Sequence, residues 1–430
     1  MSLPEYGRVV IIDDNIKEVE ALIKVLSKHR TSITYFTGAN NELPDTPFPD
    51  VRIVFLDVVL EGLTGKDTKT IVSTLIGILG KIVDKNNGPF VIVLWTKHPE
   101  HVKGLKKALK TEKYKYILID LEKKDFFDQN GGFKLDSYDS LRNRLNEKIA
   151  GIDIFDIFII WENIMNNSAG ITVNDFSQLI KFNDNWNNDM KNIFYKMAEA
   201  WAGKTLKEQN TQKILKNALF TFNGIFNDIF EGLIQNEKYS AYQGTFSSNN
   251  INEKNKGRIN IKLLLDFSDM EKFYPGNVYR INKNAKNSSE LLKDILDIKD
   301  ENLFNKINNK IKKKSIQVFA EVTPLCDFLQ GKIKLYRVIE GFIIPEKYKD
   351  EQNIYHDVKI KKAEFIYKTP VFTYKNKIYR LILDFKYFSS KTEDELKNFS
   401  PIFRLRKELL NDIQIKLSSN INRTGILFID

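Results

Sequence analysis

Val9-Val10-Ile11-Ile12-Asp13-Asp14 and Ile53-Val54-Phe55-Leu56-Asp57 decide how this chain folds. Each is a continuous apolar run without polar alternation, as a strand buried on both faces requires. Each also stops abruptly at carboxylates. Three more runs of this kind complete a set of five predicted strands: Val9–Ile12, Ser32–Phe36, Arg52–Asp57, Phe90–Trp95 and Tyr116–Asp120. Between them, amphipathic stretches at Ile16–Lys28, Asp67–Val83 and Glu100–Lys110 read as helices. Strands alternating with helices specify an α/β unit with a parallel sheet covered on both faces. The segment Thr37–Asp50 carries Pro44, Pro47 and Pro49, so one crossover helix is expected to be short or lost.

Downstream, residues 135–150 read as a closing helix, and 151–240 continue with apolar residues at helical spacing, such as Phe194, Met197 and Trp201, then Leu215, Leu219, Phe222, Phe226 and Ile229. A polar Asn- and Ser-rich loop, Gly244–Lys256, follows. Beyond it, strands are expected at Ile259–Phe267, Ile316–Val322, Leu335–Ile344, Glu364–Thr373 and Ile378–Tyr387, with a helix at Ile402–Leu417. This gives three regions: 1–130, a helical segment 131–243, and a β-rich α+β domain 257–430. No internal repeat is visible.

A chain of 430 residues is long enough for two or three cores. No apolar run reaches bilayer-spanning length, since Ile71–Val83 is broken by Gly77, Gly80 and Lys81. No apolar signal core stands at the N-terminus either, so no membrane insertion and a cytoplasmic location are expected. A lone Cys326 excludes an intrachain disulfide framework and a multi-cysteine zinc site. Of the net charge of +10, little belongs to residues 1–150, which hold 23 basic and 21 acidic residues. The densest basic piece, Lys306–Lys314, has no interleaved aromatics and reads as a solvated helix end, which makes nucleic acid an unfavoured partner.

Open α/β sheets carry their reactive groups beyond the carboxyl ends of the strands. Asp13 and Asp14 follow the first strand, Asp57 ends the third, Thr96 follows the fourth, and Lys123 and Lys124 follow the fifth. Each has an ordinary structural role when taken alone, since acids and threonines often cap helices and lysines are usually solvated. Together they fall on one rim. Carboxylates packed so closely are stable with a cation between them, and an all-oxygen donor set favours Mg2+. Asp14 is expected to hold it directly, Asp13 through water, with Asp57 and the Val59 carbonyl completing the protein ligands. A carboxylate beside such an ion is a nucleophile toward phosphorus. Asp57 is the candidate phosphoacceptor, with the Thr96 hydroxyl and a lysine ammonium on the phosphoryl oxygens.

These residues, with Gly65 eight positions after Asp57 and Thr96 after Val91-Ile92-Val93-Leu94-Trp95, resemble the receiver domain of two-component response regulators. The resemblance implies a flavodoxin-like, doubly wound five-stranded sheet. It further implies phosphoryl transfer from a histidine kinase or phosphotransfer protein, and a homodimer for which the helical segment after residue 135 is an alternative contact. Departures are Glu61 where receivers commonly have proline, Lys97 where they have a small residue, and the missing Lys-Pro pair. The last leaves Lys123 and Lys124 both open, Lys123 being preferred. An aromatic switch is expected at Tyr116.

The segment Glu321-Val322-Thr323-Pro324-Leu325-Cys326-Asp327-Phe328, with Phe403-Arg404-Leu405-Arg406 and Asn422-Arg423-Thr424-Gly425, is similar to the C-terminal regions of receiver-like proteins encoded beside histidine kinases in bacterial defence loci. That similarity implies an interaction or effector module without its own output chemistry. Two alternatives stay open: a pseudo-receiver scaffold that is never phosphorylated, and an enzyme using Cys326 as nucleophile with His356 as base.

Overall fold

The computed structural model describes residues 8–421 apart from 29, 127–138, 141–142, 145–146, 148–153, 204–205, 207–209, 238, 240–244, 269–270, 282–287, 299–300 and 350–354. The chain divides into two compact units, 1–190 with 222–247, and 191–221 with 248–430. The expected closing helix at 135–150 lies largely outside the described residues, as does Asn422-Arg423-Thr424-Gly425.

In the first unit, β1 (Arg8–Ile12), β2 (Ile33–Phe36), β3 (Val51–Leu56), β4 (Phe90–Thr96) and β5 (Tyr116–Glu122) form one sheet in the order β2-β1-β3-β4-β5. Every pairing in it is parallel. This is the strand order of flavodoxin-like folds, with the order reversing between β1 and β3. Because alternate residues of a strand face opposite sides, each run feeds two cores. Val10, Ile12, Val54, Leu56, Ile92 and Leu94 pack against α2 (Thr68–Ile82) and α3 (Val102–Leu109). Val9, Ile11, Ile53, Phe55, Val93 and Trp95 pack on the other face against α1 (Ile16–Lys28) and the start of α4 (Ile154–Ser177). Between β2 and β3 no helix forms among the described residues, as the prolines require. Gly38 turns the chain there with φ +92°, and a Cβ on it would meet Leu60 Cδ1 at 2.6 Å.

Helix α4 is fixed to the sheet by chemistry that the sequence did not announce. Phe155 and Ile159 are buried under β1, β3 and β4. Arg52 Nε donates to Glu162 Oε1 and Oε2 at 2.9 and 2.8 Å, with both side chains mostly buried.

The second unit is built on an eight-stranded antiparallel sheet. Its path is β12 (Ile366–Lys368), β14 (Lys377–Lys391), β9 (Tyr336–Pro345), β8 (Ile316–Glu321), β7 (Asn277–Arg280), β15 (Pro401–Leu405) and β6 (Leu265–Asp266), with β13 (Phe372–Tyr374) on β14. A two-stranded ribbon pairs β10 (Lys347–Lys349) with β11 (Tyr355–Asp357). Leu409, Leu410, Ile413 and Leu417 of the C-terminal helix Lys407–Ile421 cover one face. On the other, Leu291, Leu292 and Ile295 of helix Ser288–Ile295 and Ile311 of helix Glu301–Lys314 pack against Phe342, Ile344 and Ile382. The architecture is α/β overall, with a separate β-rich second sheet.

Two expectations need correction. Ile259–Phe267 is chiefly a helix, Glu253–Leu264, with only Leu265–Asp266 as strand. Asn252 caps it by accepting from Asn255 N at 2.9 Å, and the apolar spacing of that short run suits either period. Gly257 lets this helix press on β13, because a Cβ there would meet Thr373 Oγ1 at 2.5 Å. Likewise Ile402–Leu417 begins as strand β15 and becomes helical only at Lys407.

Glu162→Ala leaves the Arg52 guanidinium without its counter-charge under a buried helix start, and a loss of about 2 kcal/mol in unfolding free energy is expected. Denaturant titration measures it; a loss below a few tenths would mean that the pair contributes nothing to docking α4.

Candidate functional site

The strand ends bring the chosen side chains to one rim. Asp57 N donates to Ile12 O at 2.9 Å and Asp13 N to Phe36 O at 3.1 Å, so the parallel ladder fixes both aspartates as the chain leaves the sheet. Thr96 ends β4 opposite Glu122 of β5, one residue before Lys123. Lys123 then opens a short 3-10 turn that closes β5.

Lys123 is the centre of the site. Its side chain is 1% exposed, and its ammonium lies 2.6 Å from Asp13 Oδ2, 2.6 Å from Asp57 Oδ2 and 2.9 Å from Glu18 Oε2. All three donors of the ammonium are thereby used. Asp13 Oδ1 accepts from Asn15 N at 2.9 Å, and Val59, in the turn after β3, brings its N–H to 3.4 Å from Asp57 Oδ1. Asp13, Asp14 and Asp57 each offer an oxygen such that all lie within 4.8 Å of one another. Thr96 is buried, and its Oγ1 accepts from His98 N at 3.0 Å, which leaves the hydroxyl proton free to donate. The sequence left Lys123 and Lys124 open; Lys123 meets the carboxylates, and the side chain of Lys124 lies outside the described residues.

Glu18 was not foreseen. It stands three residues after Asn15, whose side-chain amide donates to Glu18 Oε1 at 2.9 Å, so its spacing reads as helix capping. In space it joins the rim to Lys97, whose ammonium is 2.6 Å from Glu18 Oε1. Lys97, a departure from the receiver pattern, thus has a partner in the same cluster.

Charge balance shows what the cluster can hold. Asp13, Asp14, Asp57 and Glu18 face the ammonium groups of Lys123 and Lys97, leaving two negative charges when all four acids are ionised. Burial pushes the Asp13 carboxyl up to about 6 against the pull of Lys123, with the Asp57 charge adding to the rise. Burial also raises Asp14, and the Asp57 and Glu61 charges push the same way. Burial is the largest single influence on Glu18 and raises it, but hydrogen bonds from Lys97 and Lys123 together hold it below the ordinary value. For Lys123 burial acts downward, and the Asp57 and Asp13 charges override it to keep the amine protonated. A divalent cation would cancel the residual charge, and the donors are all oxygens.

Other expectations fall away from this rim. Tyr116 pairs with Phe90 at the opposite end of the β4–β5 ladder from Thr96, so it does not serve the acids as a switch. Cys326 is exposed on the short helix Leu325–Leu329, its sulfur 3.8 Å from Asp327 Oδ1, and no histidine partners it among the described residues. His356 sits on β11 against Tyr348. The acid that opens the Glu321–Phe328 segment, Glu321, is buried and raised to about 7 by that burial, and its Oε2 has no hydrogen-bond partner. Sequence gives no warning of it, since a Glu at a strand end is ordinarily solvated.

The chain matches no protein-family model and no curated protein. Among the described residues no helix is long and apolar enough to cross a membrane.

Asp13 supplies a test of the electrostatics. A carboxyl that titrates at about 6 when folded and near 3.8 when unfolded favours the folded state fully below 3.8 and loses that contribution as pH rises through 6. The whole shift corresponds to roughly 3 kcal/mol. In the metal-free protein, Asp13→Asn should therefore gain in melting temperature relative to the parent as pH is raised from 4.5 to about 7. A difference that stays constant across that range would show that Asp13 titrates normally.

Proposed function

We propose that the N-terminal unit is a receiver-type phosphoacceptor and that Asp57 takes a phosphoryl group from a histidine kinase or phosphotransfer protein. The observation that carries this reading is the convergence of Asp13, Asp14 and Asp57 within 4.8 Å at the carboxyl edge of a 2-1-3-4-5 parallel sheet, with Lys123 bridging Asp57 and Asp13. The donor set fits Mg2+, which Asp14 and Asp57 would hold directly and Asp13 through water, with the Val59 carbonyl as a further oxygen. The ion would neutralise charge on the phosphoryl oxygens.

The chain's own residues supply the rest. Asp57 Oδ forms the bond to phosphorus as the bond to the donor's imidazole nitrogen breaks, and that nitrogen leaves as a neutral ring after protonation. Lys123 is within reach of Asp57 and can follow the new negative charge, exchanging a carboxylate oxygen for a phosphoryl oxygen. The Thr96 hydroxyl, its lone pair already engaged by His98 N, donates to a second phosphoryl oxygen. Glu18 then keeps Lys97 at the rim, where it raises the local positive potential toward an incoming anion. Glu61, close enough to raise Asp14, stands at the entrance where receivers commonly have proline and would slow in-line attack by water or donor.

One observation favours the pseudo-receiver reading. Lys123 already contacts both Asp13 and Asp57, so the rim holds together without a metal. Both readings place the protein in a signalling or interaction role, and the second unit is its interaction or effector module.

Incubation of the full chain with acetyl phosphate and Mg2+ should add a single phosphoryl group by intact-mass measurement, lost in Asp57→Asn and strongly reduced without divalent ion. Absence of labelling from both acetyl phosphate and a phosphorylated histidine donor would favour the scaffold; labelling that survives Asp57→Asn would overturn the assignment of the nucleophile.

A further inference from the structure

The lysine run that looks like a plain helix end has a different setting in space. Helix Glu301–Lys314 delivers Lys312, Lys313 and Lys314 to the wall of a cavity of about 770 Å³ in the second unit, where Arg280 and Lys375 join them. No Asp or Glu lines that cavity among the described residues. Nor does any of the five cations form an ion pair there; Lys312 Nζ only reaches Ser289 Oγ at 3.0 Å. Lys314 also faces an adjoining cavity that contains Glu253 and Glu346, but these acids are already engaged, Glu253 by Lys256 at 2.9 Å and Glu346 by Arg380 at 2.6 Å. Five like charges gathered without a counter-charge create a strong positive potential in a concave site.

The aromatic partners missing from the lysine run come from elsewhere in the chain. Phe342 of β9, Tyr374 of β13 and Tyr379 of β14 line the same cavity, with Ile281 and Ile316 extending an apolar wall. Gln317 is 8% exposed in that wall; burial raises the Glu340 carboxyl, and the Gln317 side chain, close enough to hydrogen-bond it, pulls it back down.

The turn at the rim points the same way. Tyr374 pairs with Lys377 across a two-residue hairpin whose central residues, Lys375 and Asn376, have φ of 45° and 62°. Turns of this kind ordinarily take Asn-Gly, because L side chains with a Cβ resist that backbone. Here the strained first position holds a lysine, and its ammonium stands 5.5 Å from the Tyr374 ring centroid at the cavity edge. Strain kept at a ligand-facing position is a mark of function.

We propose that this cavity binds a nucleotide bearing two or more phosphates, the phosphates meeting the lysines and Arg280, and the base lying against the apolar wall. The volume lies within the range of roughly 300–1,000 Å³ typical of small-molecule sites, and it suits one nucleotide better than a polymer. Phosphoacceptor chemistry at Asp57 is not needed for this site, so either assignment can fail without the other.

Binding of ATP and GTP to the full chain is measured by calorimetry at physiological ionic strength, with tripolyphosphate and a short oligothymidylate as comparison probes. Saturable binding of at least one nucleotide is expected at micromolar concentrations, weakened tenfold or more in the double variant Lys313→Ala with Lys375→Ala and restored by Lys→Arg at both positions. Both lysines are exposed, so folding is preserved and is checked by circular dichroism; Lys103→Ala, on the first unit, should leave binding unchanged. The proposal is overturned by no saturable nucleotide binding, by binding that the double variant leaves intact, by tripolyphosphate binding as tightly as the nucleotides, or by oligothymidylate binding more tightly than a mononucleotide.

Discussion

One buried ammonium holds the acidic rim together. Lys123, almost without solvent, gives its three hydrogens to Asp13, Asp57 and Glu18, and so ties the ends of β1, β3 and β5 to helix α1. Two of these acids are themselves buried, and without the lysine their charges would repel across a distance at which the interior screens poorly. The sheet explains why they meet: parallel pairing in the order β2-β1-β3-β4-β5 sends all the strands out at one edge, with the acids in the positions immediately after the ladder.

Much of this was legible because parallel strands leave a coarse signature. Runs such as Val9–Ile12 and Phe90–Trp95 are apolar on both faces, and that is hard to mistake for a solvated element. The acids were legible for the same reason, being the first charged residues after each run. What stayed hidden were relations across distance in sequence. Glu18 looks like a helix-capping residue because Asn15 is three positions away, and nothing local says that Lys97 and Lys123 will reach it. Arg52 and Glu162 are separated by more than a hundred residues, and neither has a neighbour that marks it as half of a buried pair.

The second unit was harder to read for a related reason. Its strands are often short or interrupted, as at the irregularity between Leu383 and Phe388 in β14, so period-2 and period-3.6 patterns compete over short windows. Arg258–Leu264 resolved as helix because Asn252 caps it and Gly257 permits close docking, tertiary facts that outrank propensity. The lysines of 312–314 were correctly placed at a helix end, yet their meaning depends on Tyr374, Tyr379 and Phe342, which join them only in the fold.

The central claim is that Lys123 and the acids form one mutually dependent cluster. A double-mutant cycle on unfolding free energy, pairing Lys123→Met with Asp57→Asn in metal-free buffer, measures that dependence. A coupling of about 1.5 kcal/mol or more is expected, with Lys123→Met costly alone and markedly less so once Asp57 is neutral. Additive single effects would contradict it, because then the lysine and the aspartate would be neighbours that do not sense each other.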